Sequence, residues 1–317
     1  MISEFIRGKS KRTATVVLAI FAAGLVLAWS VATFAQQDAA PAMSPAPAAA
    51  AAKTVPQAEQ PGPRPGHRTV APRVSTDTLV AIEKAGNLRV GVALMIPWAM
   101  HDKDGNLVGF EIDVAKKLAR DLGVKVEFHP TPFPELIPNL LAGKYDIIIS
   151  GLSISAERAL KVDFSDPYNQ TDVKLIASTK SAAVAAGTLE AFNKDSITVG
   201  VLEASTAEDM AGVVLPNAQI KDYTDAGTAI NDLLDGKIDA AVADSPRPEL
   251  LAQVFPDKVK CLCDAPLSTY STAFAVPRGD VEFVNYLNSW IAARTANRWL
   301  ETRRAYWFKS TDWEKNL

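Results

Sequence analysis

Leu140-Leu-Ala-Gly-Lys-Tyr-Asp-Ile-Ile-Ile149 returns further along the chain as Leu233-Leu-Asp-Gly-Lys-Ile-Asp-Ala-Ala-Val242. Each copy reads as a helix end stopped by Gly, which accepts the left-handed turn of a helix C-terminus, then Lys, Asp and an apolar strand. A second pair keeps the same order. Arg89-Val-Gly-Val92 precedes the first copy, and Ile197-Thr-Val-Gly-Val201 precedes the second. One such match arises by chance; two in the same order indicate a duplicated unit. The periodicity around the first copy predicts a strand over 88–92 and a helix over 110–122. That helix has Phe110, Val114 and Leu118 on one side, Asp113 four residues before Lys117 on the other, and Gly123 as its stop. A strand over 124–129, a helix over 134–142 and a strand over 145–150 follow. The repeat therefore predicts an α/β fold of two lobes, each a largely parallel sheet with helices on both faces. Open sheets of this kind bind ligands beyond the carboxyl ends of their strands. Two lobes with those ends facing each other define a cleft.

The bulk composition agrees. With 317 residues the chain has room for two domains and unstructured additions, and 48% hydrophobic with 22% charged residues is a globular balance. A formal net charge of −3 lacks the strongly basic surface that nucleic acid demands, so nucleic-acid binding is set aside. The N-terminus is different. Arg7, Lys9, Lys11 and Arg12 precede an uncharged apolar run over 13–34 that closes on Thr33-Phe34-Ala35. Residues 1–35 read as a cleaved secretory signal or, given their length, as a retained anchor. Either places the body outside the cytoplasm, because the positive flank stays inside. The absence of a cysteine near the cleavage point argues against a lipid anchor. Residues 36–73 are rich in Ala and Pro, a composition that buries no core and forms a tether.

The two cysteines, Cys261 and Cys263, fall on one face of a strand. They read as small buried thiols or as a strained local disulfide. His67, His101 and His129 are scattered, so no metal and no cofactor is expected. Trp290, Trp299, Tyr306, Trp307 and Phe308 are expected to pack against the first lobe.

Ser150-Gly-Leu-Ser-Ile-Ser-Ala-Glu-Arg158 follows the first repeat. Ser155 reads as a helix N-cap, which puts Arg158 in the first turn, the unfavourable end of the dipole for a cation. Its compensating anion is Glu157, Asp163 or a ligand carboxylate gripped by the guanidinium and by backbone N–H groups near Ser153. In the second lobe Ser205 or Thr206 caps a helix and faces the first-lobe serines. Asp244 ends a strand before Ser245-Pro246, either as a cap or as the partner of an ammonium group. A guanidinium in one lobe and a carboxylate in the other match the two ends of an α-amino acid.

From about residue 74 to 308 the chain resembles the bacterial family 3 extracellular solute-binding proteins. The resemblance rests on Gly109-Phe-Glu-Ile-Asp-Val114, Leu136-Ile-Pro-Asn-Leu140, Gly143-Lys-Tyr-Asp146, the 150–158 segment and Val162-Asp-Phe-Ser-Asp-Pro-Tyr168. It implies a two-lobed periplasmic-binding-protein fold of type II. Residues 74–172 and 274–317 would form the first lobe and 173–273 the second, with a hinge near 172–177 and 269–275. It also implies that Arg158 binds the α-carboxylate with Ser153 and Thr206, that Asp244 binds the ammonium, that Phe133 stacks on the ligand, and that Ser150 and Gly151 line the pocket. The implied partners are a free amino acid and an inner-membrane ABC transporter permease, with the protein acting in the periplasm as a monomer and not as an enzyme. Many relatives read the ligand side chain with a polar residue just after the first strand. Here that stretch is Ala93-Leu94-Met95-Ile96-Pro97-Trp98, faced by Leu202, which predicts a neutral, hydrophobic or aromatic side chain; Glu203 would instead favour a basic one. Two rival functions share the fold: a cyclohexadienyl dehydratase acting on prephenate or arogenate, with Glu203 as its acid, and an anchored sensor that signals through a partner chain.

Overall fold

Both copies of the repeat owe their form to the same contacts. Gly143 and Gly236 take the left-handed conformation, at φ +72° and +70°. Their N–H groups donate to Leu140 O and Leu233 O, and the following Lys144 and Lys237 N–H groups donate to Asn139 O and Asp232 O. The repeated aspartates then clamp the neighbouring strand. Asp146 accepts from Arg89 N at 2.9 Å, and Asp239 accepts from Thr198 N at 3.0 Å. Tyr145 and Ile238 explain the repeated glycines. A Cβ on Gly200 would lie 2.6 Å from Ile238, and one on Gly91 would collide with the Tyr145 ring. The two sequence motifs of each lobe are thus the two halves of one packing unit.

This computed structural model describes residues 78–262 and 264–316; the expected signal or anchor and the Ala/Pro-rich tether lie outside them. The first lobe begins with α1 (Thr78–Ala85), β1 (Asn87–Val92), a hairpin of β2 (Met100–His101) and β3 (Leu107–Val108), α2 (Phe110–Asp121) and β4 (Lys125–Pro130). A 3-10 turn, Phe133–Glu135, leads into α3 (Leu136–Leu141), followed by β5 (Ile147–Ile148), α4 (Ala156–Ala159) and β6 (Val162–Phe164). The second lobe holds β7 (Asn169–Ser178), β8 (Thr198–Leu202), α5 (Thr206–Val214), β9 (Gln219–Tyr223), α6 (Ala226–Asp235), β10 (Ala240–Asp244), α7 (Arg247–Val254), β11 (Val259–Leu262) and β12 (Ser268–Thr272). The chain returns as β13 (Ala275–Pro277), α8 (Val281–Ala296) and α9 (Trp299–Lys309).

The sheet orders are β4-β1-β5-β13-β6 and β11-β7-β10-β8-β9, with β12 on β7. They are mixed rather than largely parallel. The repeated units supply the parallel half of each sheet, β1 with β4 and β5, and β8 with β9 and β10. The strands that cross between lobes supply the antiparallel half. β13 runs against β5 and β6, and β7 runs against β10, β11 and β12. A crossing strand arrives without a helical crossover, so nothing forces it to run parallel. The sheets are joined near 165–168 and 273–274. Asp172, expected near the hinge, already lies inside β7 and pairs with Thr269 of β12. The expected strand over 145–150 is shorter, Ile147–Ile148, and beyond it the Ser150 hydroxyl accepts from Ala93 N at 2.8 Å.

The C-terminal aromatics pack on the first lobe as expected. Trp290 and Trp307 are buried in its core, with indole N–H groups donated at 2.8 Å to Asp121 and Asp113 of α2. The Phe308 ring lies tilted against Trp98, with centroids 4.6 Å apart, and against Phe110 at 5.0 Å. The second lobe carries apolar clusters on both faces of its sheet, one around Val173, Leu175 and Val199, the other around Ile176, Leu233 and Ile238. Cys261 in β11 departs from the reading as a free buried thiol: it is half-buried and disulfide-bonded, and Cys263, the chain's other cysteine, lies outside the described residues.

Candidate functional site

Ser155 caps α4 as its sequence indicates, accepting from Arg158 N at 3.2 Å. That bond fixes Arg158 in the first turn beyond the carboxyl end of β5. The side chain is buried at 8% exposure. Nη1 donates to Ser153 O and Nη2 to Ala204 O, each at 2.7 Å. One carbonyl belongs to the first lobe and the other to the second, so Arg158 clasps the lobes together. Two of the five guanidinium N–H donors are used in this way, and the fork retains capacity for an anion. The guanidinium carbon lies 5.8 Å from the centre of the Phe133 ring, within cation–π range. Burial pushes the Arg158 pKa down, against the fields of Asp209 and then Asp244. Ala204, which offers its carbonyl, is held at φ +58°, a conformation costing a non-glycine residue about 1–2 kcal/mol.

The second lobe answers from two helix starts. Ser205 is the N-cap of α5, accepting from Glu208 N at 3.2 Å. Thr206, the next residue, is buried, and its hydroxyl donates to the Ser153 hydroxyl at 3.3 Å across the interface. Asp244 ends β10 but caps nothing, since α7 starts behind Pro246 without a side-chain cap. Its Oδ1 is buried with no hydrogen-bond partner among the described residues. Burial pushes the Asp244 pKa up, and Arg247 and then Arg158 pull it down. Arg247, absent from the sequence-based site, is 6% exposed, and its Nε and Nη2 lack hydrogen-bond partners among the described residues. The signal was available: it opens a helix, the same cation-at-the-wrong-end pattern that singled out Arg158.

Two cavities meet at Leu202. One of about 250 Å³ lies between the lobes, walled by Ala93, Leu94, Met95, Pro130, Thr131, Pro132 and Phe133 on one side and by Leu202, Thr224, Asp225 and Ala226 on the other. A smaller one, about 30 Å³, is lined by Leu202, Ser205, Ala226, Asp244 and Arg247 among others. The expected apolar wall at 93–95 is in place. Asp225 is an addition, although it is exposed and one oxygen is occupied by the N–H and hydroxyl of Thr228 at 2.7 and 2.9 Å.

Of the expected residues, Phe133, Leu202, Ser205 and Asp244 border these cavities, whereas Arg158, Ser153, Thr206, Ser150, Gly151 and Trp98 border neither. Trp98, at 2% exposure, lines neither cavity; Phe110 and Phe308 hold its ring in the core behind Gly151. Ser150 is fully buried and serves the Ala93 backbone. Glu203 is exposed and borders neither cavity. Behind Gly151 lies a carboxyl the sequence did not flag. Glu111 of α2 is fully buried, accepts from the Tyr168 hydroxyl at 2.7 Å, and burial pushes its pKa up to about 8.

Two α/β lobes with mixed sheets, joined by crossing strands and presenting buried charges of opposite sign across their interface, define a two-lobed solute-binding protein of type II. The chain belongs to the bacterial extracellular solute-binding proteins, family 3, whose pattern matches residues 88–310. It is similar to the L-arginine-binding protein of Pseudomonas aeruginosa, at 30% identity over 66% of this chain and 83% of that one. It is also similar to the cyclohexadienyl dehydratase of the same organism, at 29% identity over 67% and 79%. Among solved structures, an ancestral amino acid-binding protein described as a precursor of cyclohexadienyl dehydratase matches with TM-score 0.67 and 36% identity, covering 73% of this chain and 99% of that one. An ancestral arginine-binding protein bound to arginine matches with TM-score 0.65 and 31% identity over 70% and 98%.

Proposed function

We propose that the protein captures a free amino acid between its lobes outside the cytoplasm, in the periplasm, and delivers it to an ABC transporter permease. The observation that carries the reading is the placement of Arg158 and Asp244. They come from different lobes, and each lies within the field of the other. The α-carboxylate is received by Arg158 with Ser153 and Thr206, and the ammonium by Asp244. The side chain enters the larger cavity against Phe133, Met95 and Leu202. Ligand bridging both lobes favours the closed arrangement over open ones through a hinge at the two strand crossings. Half a ligand closes it poorly, because a buried charge left unpaired is destabilising. Family membership and the amino-acid-binding relatives support this reading. A thermal-shift screen of the full-length protein against the twenty amino acids tests it. At least one should raise the melting temperature in a dose-dependent way, and a flat response to all twenty refutes it.

Likeness to the cyclohexadienyl dehydratase favours a second reading, elimination chemistry in the same cleft. The expected acid, Glu203, is exposed, so that reading requires another acid. Incubation with prephenate and an absorbance assay for phenylpyruvate decides it.

A further inference from the structure

Arg247 is a buried cation with an incomplete set of partners. It opens α7, where the helix dipole repels positive charge, and is 6% exposed. Its Nε and Nη2 have no hydrogen-bond partner among the described residues. Asp244 shares its cavity, and Oδ1 of Asp244 is unpartnered as well. The two groups feel each other's charge without hydrogen-bonding through those atoms. Asp225, the next carboxylate in range, is exposed and engaged by Thr228. Arg158 and Arg247, both buried, thus face one partly buried carboxylate, Asp244, since Asp209, the strongest field on Arg158, is exposed to solvent. A zwitterion has no net charge and leaves one of those cations uncompensated. A ligand with a second carboxylate removes the imbalance, and a planar guanidinium is the group best shaped to receive it. Leu202 and Ala226, which line both cavities, put Arg247 immediately behind the main cavity.

We infer that Arg247 receives a second carboxylate and that the cleft selects a dicarboxylic amino acid over its uncharged isosteres. This rests on the seating of a zwitterion between Arg158 and Asp244, and it replaces the neutral side chain expected from the 93–98 stretch with one whose apolar body carries an acidic end.

Calorimetric titration of the full-length wild type with L-glutamate, L-2-aminoadipate, L-glutamine, L-norleucine and L-arginine is the test, repeated on Arg247→Met and Arg247→Lys. The dicarboxylic ligands should bind at least about tenfold tighter than L-glutamine. Arg247→Met should abolish that preference, and Arg247→Lys should restore part of it. Wild type that binds L-glutamine, L-norleucine or L-arginine as tightly as L-glutamate overturns the inference and leaves the amino-acid reading standing. Wild type that binds none of the five also overturns the inference, and the thermal-shift screen of all twenty amino acids then decides whether the amino-acid reading stands. The wild-type comparison decides even if Arg247→Met does not fold.

Discussion

Arg158 and Arg247 occupy matching places in the two lobes, and their surroundings differ in a way that exposes how the cleft is built. Each follows the carboxyl end of a strand, each lies in the first turn of a helix, and each is buried. Arg158 holds two carbonyls, one from each lobe. Arg247 has an aspartate beside it and two N–H-bearing atoms without a hydrogen-bond partner among the described residues. Chain pattern puts a cation at each strand end. What that cation holds depends on what the opposite lobe brings to it.

The largest expected effect separates the two arginines. Arg158→Met should weaken every amino-acid ligand by at least about a hundredfold, as for loss of one partner of a buried charge pair, whereas Arg247→Met should discriminate between ligands. Titration calorimetry on the two variants checks this, and equal losses for both would erase the distinction.

Next in size is a contrast between a buried acid of the first-lobe wall and its neutral amide. Glu111 keeps its proton in the folded protein up to a pKa of about 8, whereas the unfolded chain releases it near the ordinary glutamate value. Between those two pH values the unfolded state binds fewer protons, so stability falls as pH rises. The loss amounts to a few kcal/mol over the window. Glu111→Gln cannot lose that proton, so its melting temperature relative to wild type should climb from pH 5 to pH 9. A constant difference would mean that the carboxyl is not held protonated.

The two repeat units offer a finer comparison. Gly91→Ala and Gly200→Ala both overfill a packed site, at a cost of about 1–3 kcal/mol. Gly91→Ala should cost more, because the Tyr145 ring it meets is also tied by its hydroxyl to Leu136 O at 2.5 Å, while Ile238 Cδ1 is a flexible tip. Smallest is the aspartate clamp. Asp146→Ala should destabilise by more than Asp239→Ala, each by about 1–2 kcal/mol, since Asp146 also accepts from the Arg89 guanidinium at 2.6 Å. Denaturant midpoints order all four variants, and a reversed order in either pair would show that the repeats are not held together by these contacts.

Much of this was legible without coordinates. Glycine stops, the Ser155 cap and the helical stripe of α2 are local signals, carried by residues within a few positions of one another. Arg158 was legible for the same reason, and Arg247 carried an equal signal that the Ser245-Pro246 context obscured. Trp98 was misassigned to the pocket because proximity to a strand end does not say which way the chain turns next. Phe308, far away in sequence, fills the space that holds its ring in the core. Glu111 was invisible as a perturbed acid, since its helix pattern is ordinary and its burial comes from Tyr168 and Gly151.

By itself, the sequence determined a duplicated α/β unit and a family, and it pointed to two charges that would suit a zwitterion. Those follow from short-range patterns in which each residue's role is written next to it. Tertiary structure alone decided the antiparallel halves of both sheets, the clasp from Arg158 to Ala204 O, and the partners left over for Asp244 and Arg247. Each of these depends on two segments distant in sequence meeting at hydrogen-bond range, and pairings at that separation are set by how the lobes pack.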